Sequence, residues 1–312
     1  MILSAPAPVL WTVGGVFLVL LAASLVVGHL RRARPAADLG ELAARIRSWW
    51  VMAVVFAAAI LLSRTVSIVF FAFVSFLALK EYLSLIPTRR ADRTVLFFAY
   101  LAIPVQFWWI GIGWYGMFVI WVPVYMLLFL PLPMLAIGET AGFLRAIGTL
   151  HWGLMTTVFS IGHAAYLLVL PTHPAAAAGG AGLLLYLVIL TEANDVAQYL
   201  AGKSLGRTKI IPRVSPNKTV EGFAGGIVAT VALAMALAPV LTPLDPEHAV
   251  IAGLIIALAG FAGDLTMSAV KRDLGIKDTG SMLPGHGGVL DRLDSLTYTA
   301  PLFFHFIYYT YY

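Results

Sequence analysis

The charged residues of this 312-residue chain are few, and they gather where chemistry is possible. The densest stretch is 268–295, "SAVKRDLGIKDTGSMLPGHGGVLDRLDS", with eight charged side chains in a chain that is 11% charged. Asp264, Ser268 and Lys271 recur at i, i+4 and i+7, so they share one helical face, with Arg272 adjacent. A carboxylate and a hydroxyl on one stripe, capped by two cations, can hold a metal ion and the phosphate it bridges. A helix-end salt bridge near the membrane headgroups would account for the cations, but less well for Asp264, whose carboxylate is costly there. Further on, Asp291, Asp294 and Ser295 at i, i+3 and i+4 open the last helix. Gly285, Gly287 and Gly288 before them let a ligand approach the backbone closely. His286, between glycines, reads first as a turn residue and second as a base or ligand.

A third cluster lies upstream, in residues 191–222. Glu192, Asn194 and Asp195 sit in the inner half of an apolar span, where ionisable groups are costly and default to function. The loop after them carries Lys203, Arg207, Lys209, Arg213 and Lys218 before Glu221. Such a loop suits an anionic ligand, because phosphates want cations and free backbone N–H groups. Ser215 and Thr219 read as helix-entry residues. "GKS" at 202–204 is no P-loop: Ala197 stands where the motif needs Gly, and an apolar helix precedes it instead of a strand.

Asp264 and Asp291, with Asp195 or Asp294 nearby, offer oxygen ligands only. With no Cys and few His, that set selects Mg²⁺ or a similar hard cation over zinc. Acids for a metal and a basic loop for phosphates together describe a phosphoryl- or nucleotidyl-transfer site.

The elements that position these residues are membrane spans. The chain is 61% hydrophobic, with a mean hydropathy of +0.91, which no soluble surface tolerates. The expected architecture is an all-α polytopic membrane protein of about nine or ten transmembrane helices. Candidate spans lie near 8–28, 49–63, 65–80, 95–111, 114–137, 149–170, 180–200, 221–243, 248–268 and 294–311. The second and third form either a tight hairpin or one broken span. The segment 39–49 has the spacing of an amphipathic surface helix, with a plain basic linker as the alternative.

With the N-terminus outside and ten spans alternating, the inner loops collect 19 of the 20 Lys and Arg, leaving only Arg64. This places the catalytic loops on the cytoplasmic side of a bacterial inner (plasma) membrane. The first span is read as retained, since no positive n-region precedes it. Three regions result: 1–48, an extra N-terminal helix with a basic linker; 49–180, N-terminal transmembrane helices; and 181–312, a catalytic transmembrane domain with loops 202–220 and 269–293. The cations are scattered among short loops, which argues against nucleic acid as a partner.

The same residues carry a family resemblance. Ser268, Lys271-Arg272, Lys277-Asp278, Gly280, Pro284, His286-Gly287-Gly288, Asp291-Arg292 and Asp294 fill every fixed position of a signature similar to that of the phosphatidate cytidylyltransferases, the CDP-diacylglycerol synthases. Asp195, Tyr199, Gly202 and Gly206, followed by "SPNKTVEG" (215–222), resemble that family's second region. The resemblance covers about 190–312; in 1–180 only hydropathy is shared. It implies condensation of CTP with phosphatidic acid to CDP-diacylglycerol and pyrophosphate. A two-cation centre is implied at Asp264 and Asp291, with Ser268, Lys271 and Arg272 in the same site. Ser215, Lys218 and Thr219 match the loop that handles nucleotide. Asp195, Tyr199, Lys277, Asp278, His286, Gly287, Gly288, Arg292 and Asp294 are expected to contact substrate. A homodimer is left open. The chain departs from the pattern at Gln198, where a small residue is usual, and at Val220, where Trp is frequent. The rival readings are another CTP-dependent lipid transferase, such as a polyprenol kinase, and an ion-coupled transporter. The transporter reading needs an internal repeat, and the sequence has none.

Overall fold

A computed structural model of the chain describes residues 5–33, 39–87, 93–280 and 287–312. Among them, nine helices are long and apolar enough to cross a membrane. They are α1 (Ala7–Ala33), α2 (Gly40–Leu62), α3 (Arg64–Leu85), α4 (Arg93–Gly111), α5 (Tyr115–Ile137), α6 (Phe143–Val169), α7 (Gly179–Leu205), α8 (Val220–Leu241) and α9 (Pro246–Asp273). A four-residue helix, α10 (Leu290–Leu293), and a 16-residue helix, α11 (Leu296–Tyr311), complete the chain. The protein is an all-helical, multi-pass membrane protein. Arg34, Arg89, Arg90, Gly285 and His286 fall outside the described residues.

Two expectations change in detail. The stretch expected to lie along the surface is the first turns of α2, which runs unbroken to Leu62. Residues 41–62 contain neither Gly nor Pro, so nothing interrupts the helix there. The tenth span, expected over 294–311, begins only after a turn at Asp294–Ser295, and α11 is 16 residues long. At 1.5 Å per residue it reaches about 24 Å, short of a hydrocarbon core of about 30 Å.

The boundary between α2 and α3 is a single residue. Ser63 is extended (φ −168°, ψ 159°), and its hydroxyl accepts from Val66 N at 3.2 Å, capping α3. Ser67 Oγ then reaches back to Ala59 O at 2.9 Å, and Phe56 lies 6.3 Å from Phe70. The pair is the tight hairpin, not a broken span.

Around the site, α7, α8, α9 and α11 pack together. In a bilayer there is little water to expel between helices, so close packing and buried hydrogen bonds hold them. Small residues allow the approach: a Cβ on Gly222 (α8) would meet the Gln198 carbonyl of α7 at 2.8 Å. Buried Asn194 ties three helices, donating to Ala257 O of α9 at 3.3 Å and accepting from Thr230 Oγ1 of α8 at 3.2 Å. Its role is therefore structural. On the far side, Tyr82 donates to Thr149 O at 2.8 Å, fixing the end of α3 against α6.

Candidate active site

A cavity of about 440 Å³ opens between α7, the loop after it, and α9. Asp195, Tyr199, Ser215, Lys218, Thr219 and Asp264 all line it, as do Gln198, Lys203 and Lys209. Asp264, some 70 residues further along the chain, thus meets the upstream cluster in one pocket, whereas Ser268, Lys271, Arg272, Lys277, Asp278, Gly287, Gly288, Asp291, Arg292 and Asp294 lie outside its lining.

The basic loop is folded back so that Lys209 and Lys218 face this space. Thr208 and Thr219 sit at its two stems, with Val220 N donating to Thr208 O at 2.9 Å and Ile210 N to Lys218 O at 3.2 Å. Glu221 accepts the backbone N–H groups of Arg207 and Thr208 at 3.0 and 3.2 Å, which pins the loop's start to the first turn of α8. Thr219 is the N-cap of that helix, its hydroxyl accepting from Gly222 N at 3.1 Å. Thr219→Ala is expected to lower stability by about 1 kcal/mol, read from thermal unfolding in detergent, while Thr219→Ser keeps the cap.

Lys218 is the centre of the pocket's charge. Its ammonium pairs with Asp264 Oδ2 at 2.5 Å, donates to Gln198 Oε1 at 3.3 Å, and stands 4.9 Å from the centroid of the Phe261 ring. Ser268 donates to the other Asp264 oxygen at 3.2 Å, as the i, i+4 spacing requires. Asp264 also lies in the field of Asp195 and Asp294. Ser295 links the last two, donating its hydroxyl to Asp195 and its backbone N–H to Asp294, both at 2.8 Å. Arg292 is the cation facing Glu192 and Asp294.

Asp291 is built differently. It is only 5% exposed, and both of its oxygens are occupied. Oδ1 pairs with Lys271 at 2.7 Å; Oδ2 accepts from Thr279 N at 2.8 Å and Gly288 N at 3.0 Å, and lies 2.9 Å from Thr279 Oγ1, whose one proton it shares with Glu81. Burial pushes its pKa up, but Lys271 and the Gly288 and Thr279 amides outweigh burial and hold the carboxyl below its usual range. Gly287 has φ +79°, and a Cβ there would lie 2.6 Å from Asp291 Oδ2, so the turn demands glycine twice over. Arg272 ties α9 to the basic loop through Nε and Val214 O at 3.3 Å. Lys277 and Asp278 are exposed on the connection after α9.

A residue with no signal in the motifs also belongs here. Glu81, near the end of α3, accepts from Val289 N at 2.9 Å, from Leu290 N at 3.0 Å, and from the Thr279 hydroxyl. Only the short "KE" at the end of an apolar run marks it in the sequence.

The donor set around the cavity fits a hard cation in kind. Asp264 presents carboxylate oxygens to the pocket, and Asp195 Oδ1 is shut off from solvent without a hydrogen-bond partner. Among the described residues, no three His, Cys, Asp or Glu side chains converge tightly enough to form a complete protein cage.

A family model described as the cytidylyltransferase family matches residues 43–310. The chain is 44% identical over 293 residues to the uncharacterized protein YnbB of Escherichia coli, covering 94% of this chain and 96% of that one. It is 43% identical over 126 residues to the phosphatidate cytidylyltransferase of Bacillus subtilis, covering 40% of this chain and 47% of that protein. The match to the Haemophilus influenzae phosphatidate cytidylyltransferase is 40% over 135 residues, 42% of this chain and 47% of that one. The chain thus spans just under half the length of these two relatives. The span matched by the family model takes in Asp195, the basic loop, Asp264 and the helix that carries Glu81. The chain belongs to the cytidylyltransferase family, and it is a nucleotidyltransferase embedded in a membrane.

Proposed function

We propose that the protein transfers the cytidylyl group of CTP to phosphatidic acid, giving CDP-diacylglycerol and pyrophosphate at the inner face of a bacterial membrane. The observation that carries the reading is the cavity in which Lys203, Lys209 and Lys218 face Asp195 and Asp264. A triphosphate needs such cations, and a hard cation needs such acids. The concentration of Lys and Arg in the loops on this side of the spans supports a cytoplasmic orientation.

In the proposed reaction an oxygen of the lipid phosphate attacks the α-phosphorus of CTP, and the bond to the β-phosphate breaks. No general base is required, because the attacking phosphate is already ionised at neutral pH. Lys218 and Arg272 neutralise the triphosphate, and Lys271 can exchange Asp291 for a phosphate oxygen as substrate enters. Ser268 orients Asp264, and Tyr199 and Ser215 line the nucleotide's path. Asp264 and Asp291 are the residues that would hold Mg²⁺. Bound there, it would draw charge off the phosphates.

A panel of acceptors tests the assignment. Purified protein given CTP and Mg²⁺ should release pyrophosphate with phosphatidic acid and remain silent with polyprenol or with no lipid. Turnover on polyprenol with release of CDP would replace this reading with a kinase. Substrate uptake into proteoliposomes without CTP consumption would replace it with a transporter.

A further inference from the structure

We infer that Glu81 is a positioning residue for the site: from a helix outside the motif region it holds together both stems of the α9–α10 connection, and so sets where Asp291 and Lys271 stand. The chemistry it would serve rests on the nucleotidyl-transfer reading above.

A carboxylate is acceptor-only, with two oxygens and about four lone-pair sites. Glu81 gives Oε2 to Val289 N and Oε1 to Leu290 N, and Oε1 also takes the Thr279 hydroxyl. Thr279 precedes the glycine-rich turn, and Val289 and Leu290 follow it. One side chain therefore fixes the two ends against each other. Nothing within α10 offers its first amides a side-chain cap, so Glu81 supplies the acceptor from about 200 residues away.

Thr279 joins Glu81 to Asp291. Its hydroxyl also lies 2.9 Å from Asp291 Oδ2, and its backbone N–H donates to the same oxygen at 2.8 Å. Asp291 in turn pairs with Lys271 at 2.7 Å. The chain Glu81, Thr279, Asp291, Lys271 leads from α3 to the cation proposed to meet phosphate.

The enclosure is tight on both sides. A Cβ on Gly280 would lie 3.0 Å from Glu81 Oε2, and one on Gly288 would fall on the Glu81 carboxylate itself. The platform is firm, since the neighbouring Tyr82 is hydrogen-bonded to α6. A functional group held by a packed helix keeps its geometry better than one left to its own loop.

The test uses the full-length protein in lipid nanodiscs, as wild type, Glu81→Ala and Glu81→Gln. Glu81→Ala should lower kcat for CDP-lipid formation by about tenfold to a hundredfold, the usual effect of losing an outer partner of a site. The KM for CTP should move by less than about threefold, the split expected when positioning for the transition state is lost and binding is kept. Glu81→Gln keeps one oxygen acceptor and should retain more activity than Glu81→Ala. Amide hydrogen exchange in 287–293 should accelerate in Glu81→Ala, with the other helices unchanged. Unchanged kcat, unchanged exchange in 287–293, or an activity loss matched by faster exchange throughout the protein would each overturn the inference. If the wild type transfers nothing from CTP, the proposed reaction fails separately, and the exchange result alone decides whether Glu81 holds the stems.

Discussion

Asp264→Asn protein is expected to fold, to stay in the membrane, and to make CDP-lipid with kcat about 10²–10³-fold below wild type, the scale seen when one preorganised charge-stabilising group is removed. Asn keeps the shape of the side chain and can still accept from Ser268, so packing is preserved. What goes is the negative charge that holds Lys218 at 2.5 Å and that a divalent cation requires. The pair is partly open to the cavity, with the two side chains 16% and 26% exposed, so its loss should disturb catalysis far more than folding. Product formation in detergent-solubilised protein, set beside a melting curve, separates the two effects. An Asp264→Asn protein that melts normally and turns over normally would remove Asp264 from the site.

Asp291→Ala is expected to act on both properties. The side chain is buried, and its removal strands the Lys271 ammonium and two hydrogen-bonded amides, those of Thr279 and Gly288. Breaking a buried pair by deleting one partner typically costs about 3–5 kcal/mol. Thermal unfolding should show that loss, and activity should vanish with it. The pH dependence follows from the sign of the shift. Because the folded pKa of Asp291 lies below its unfolded value, its contribution is complete above about pH 4, the ordinary Asp value. It is then lost as pH falls through the depressed folded value. Wild type should therefore lose part of its margin over Asp291→Asn on acidification below pH 4, and an unchanged margin would contradict the ion pair.

Much of this was readable in the sequence, for identifiable reasons. Membrane spans announce themselves because every apolar run must satisfy its own backbone as a helix. The i, i+4 relation of Asp264 and Ser268 is local, so spacing alone predicts their contact. The pocket's membership was legible wherever charges stood out against an apolar background, as Asp195, Lys218 and Asp264 do.

Tertiary partnership was not legible. Asn194 reads as part of a chemical cluster and proves to be a tie among α7, α8 and α9. Asp291 reads as an open metal ligand, whereas its oxygens are engaged by Lys271, Thr279 and Gly288. Glu81 was invisible because its partners lie some 200 residues away, and no local period encodes such a distance. The turn at Asp294–Ser295 was hidden because Asp291, Asp294 and Ser295 keep the i, i+3, i+4 spacing of one helical turn.

The central claim is that the α-phosphate of CTP, and not its γ-phosphate, ends on the lipid. The direct measurement incubates purified protein with phosphatidic acid and CTP labelled in one or the other position, then partitions the products between solvent and water. Label from the α-position should move into the lipid phase, and label from the γ-position should appear in aqueous pyrophosphate. Label from the γ-position in the lipid phase, with the α-label left in water as CDP, would contradict it.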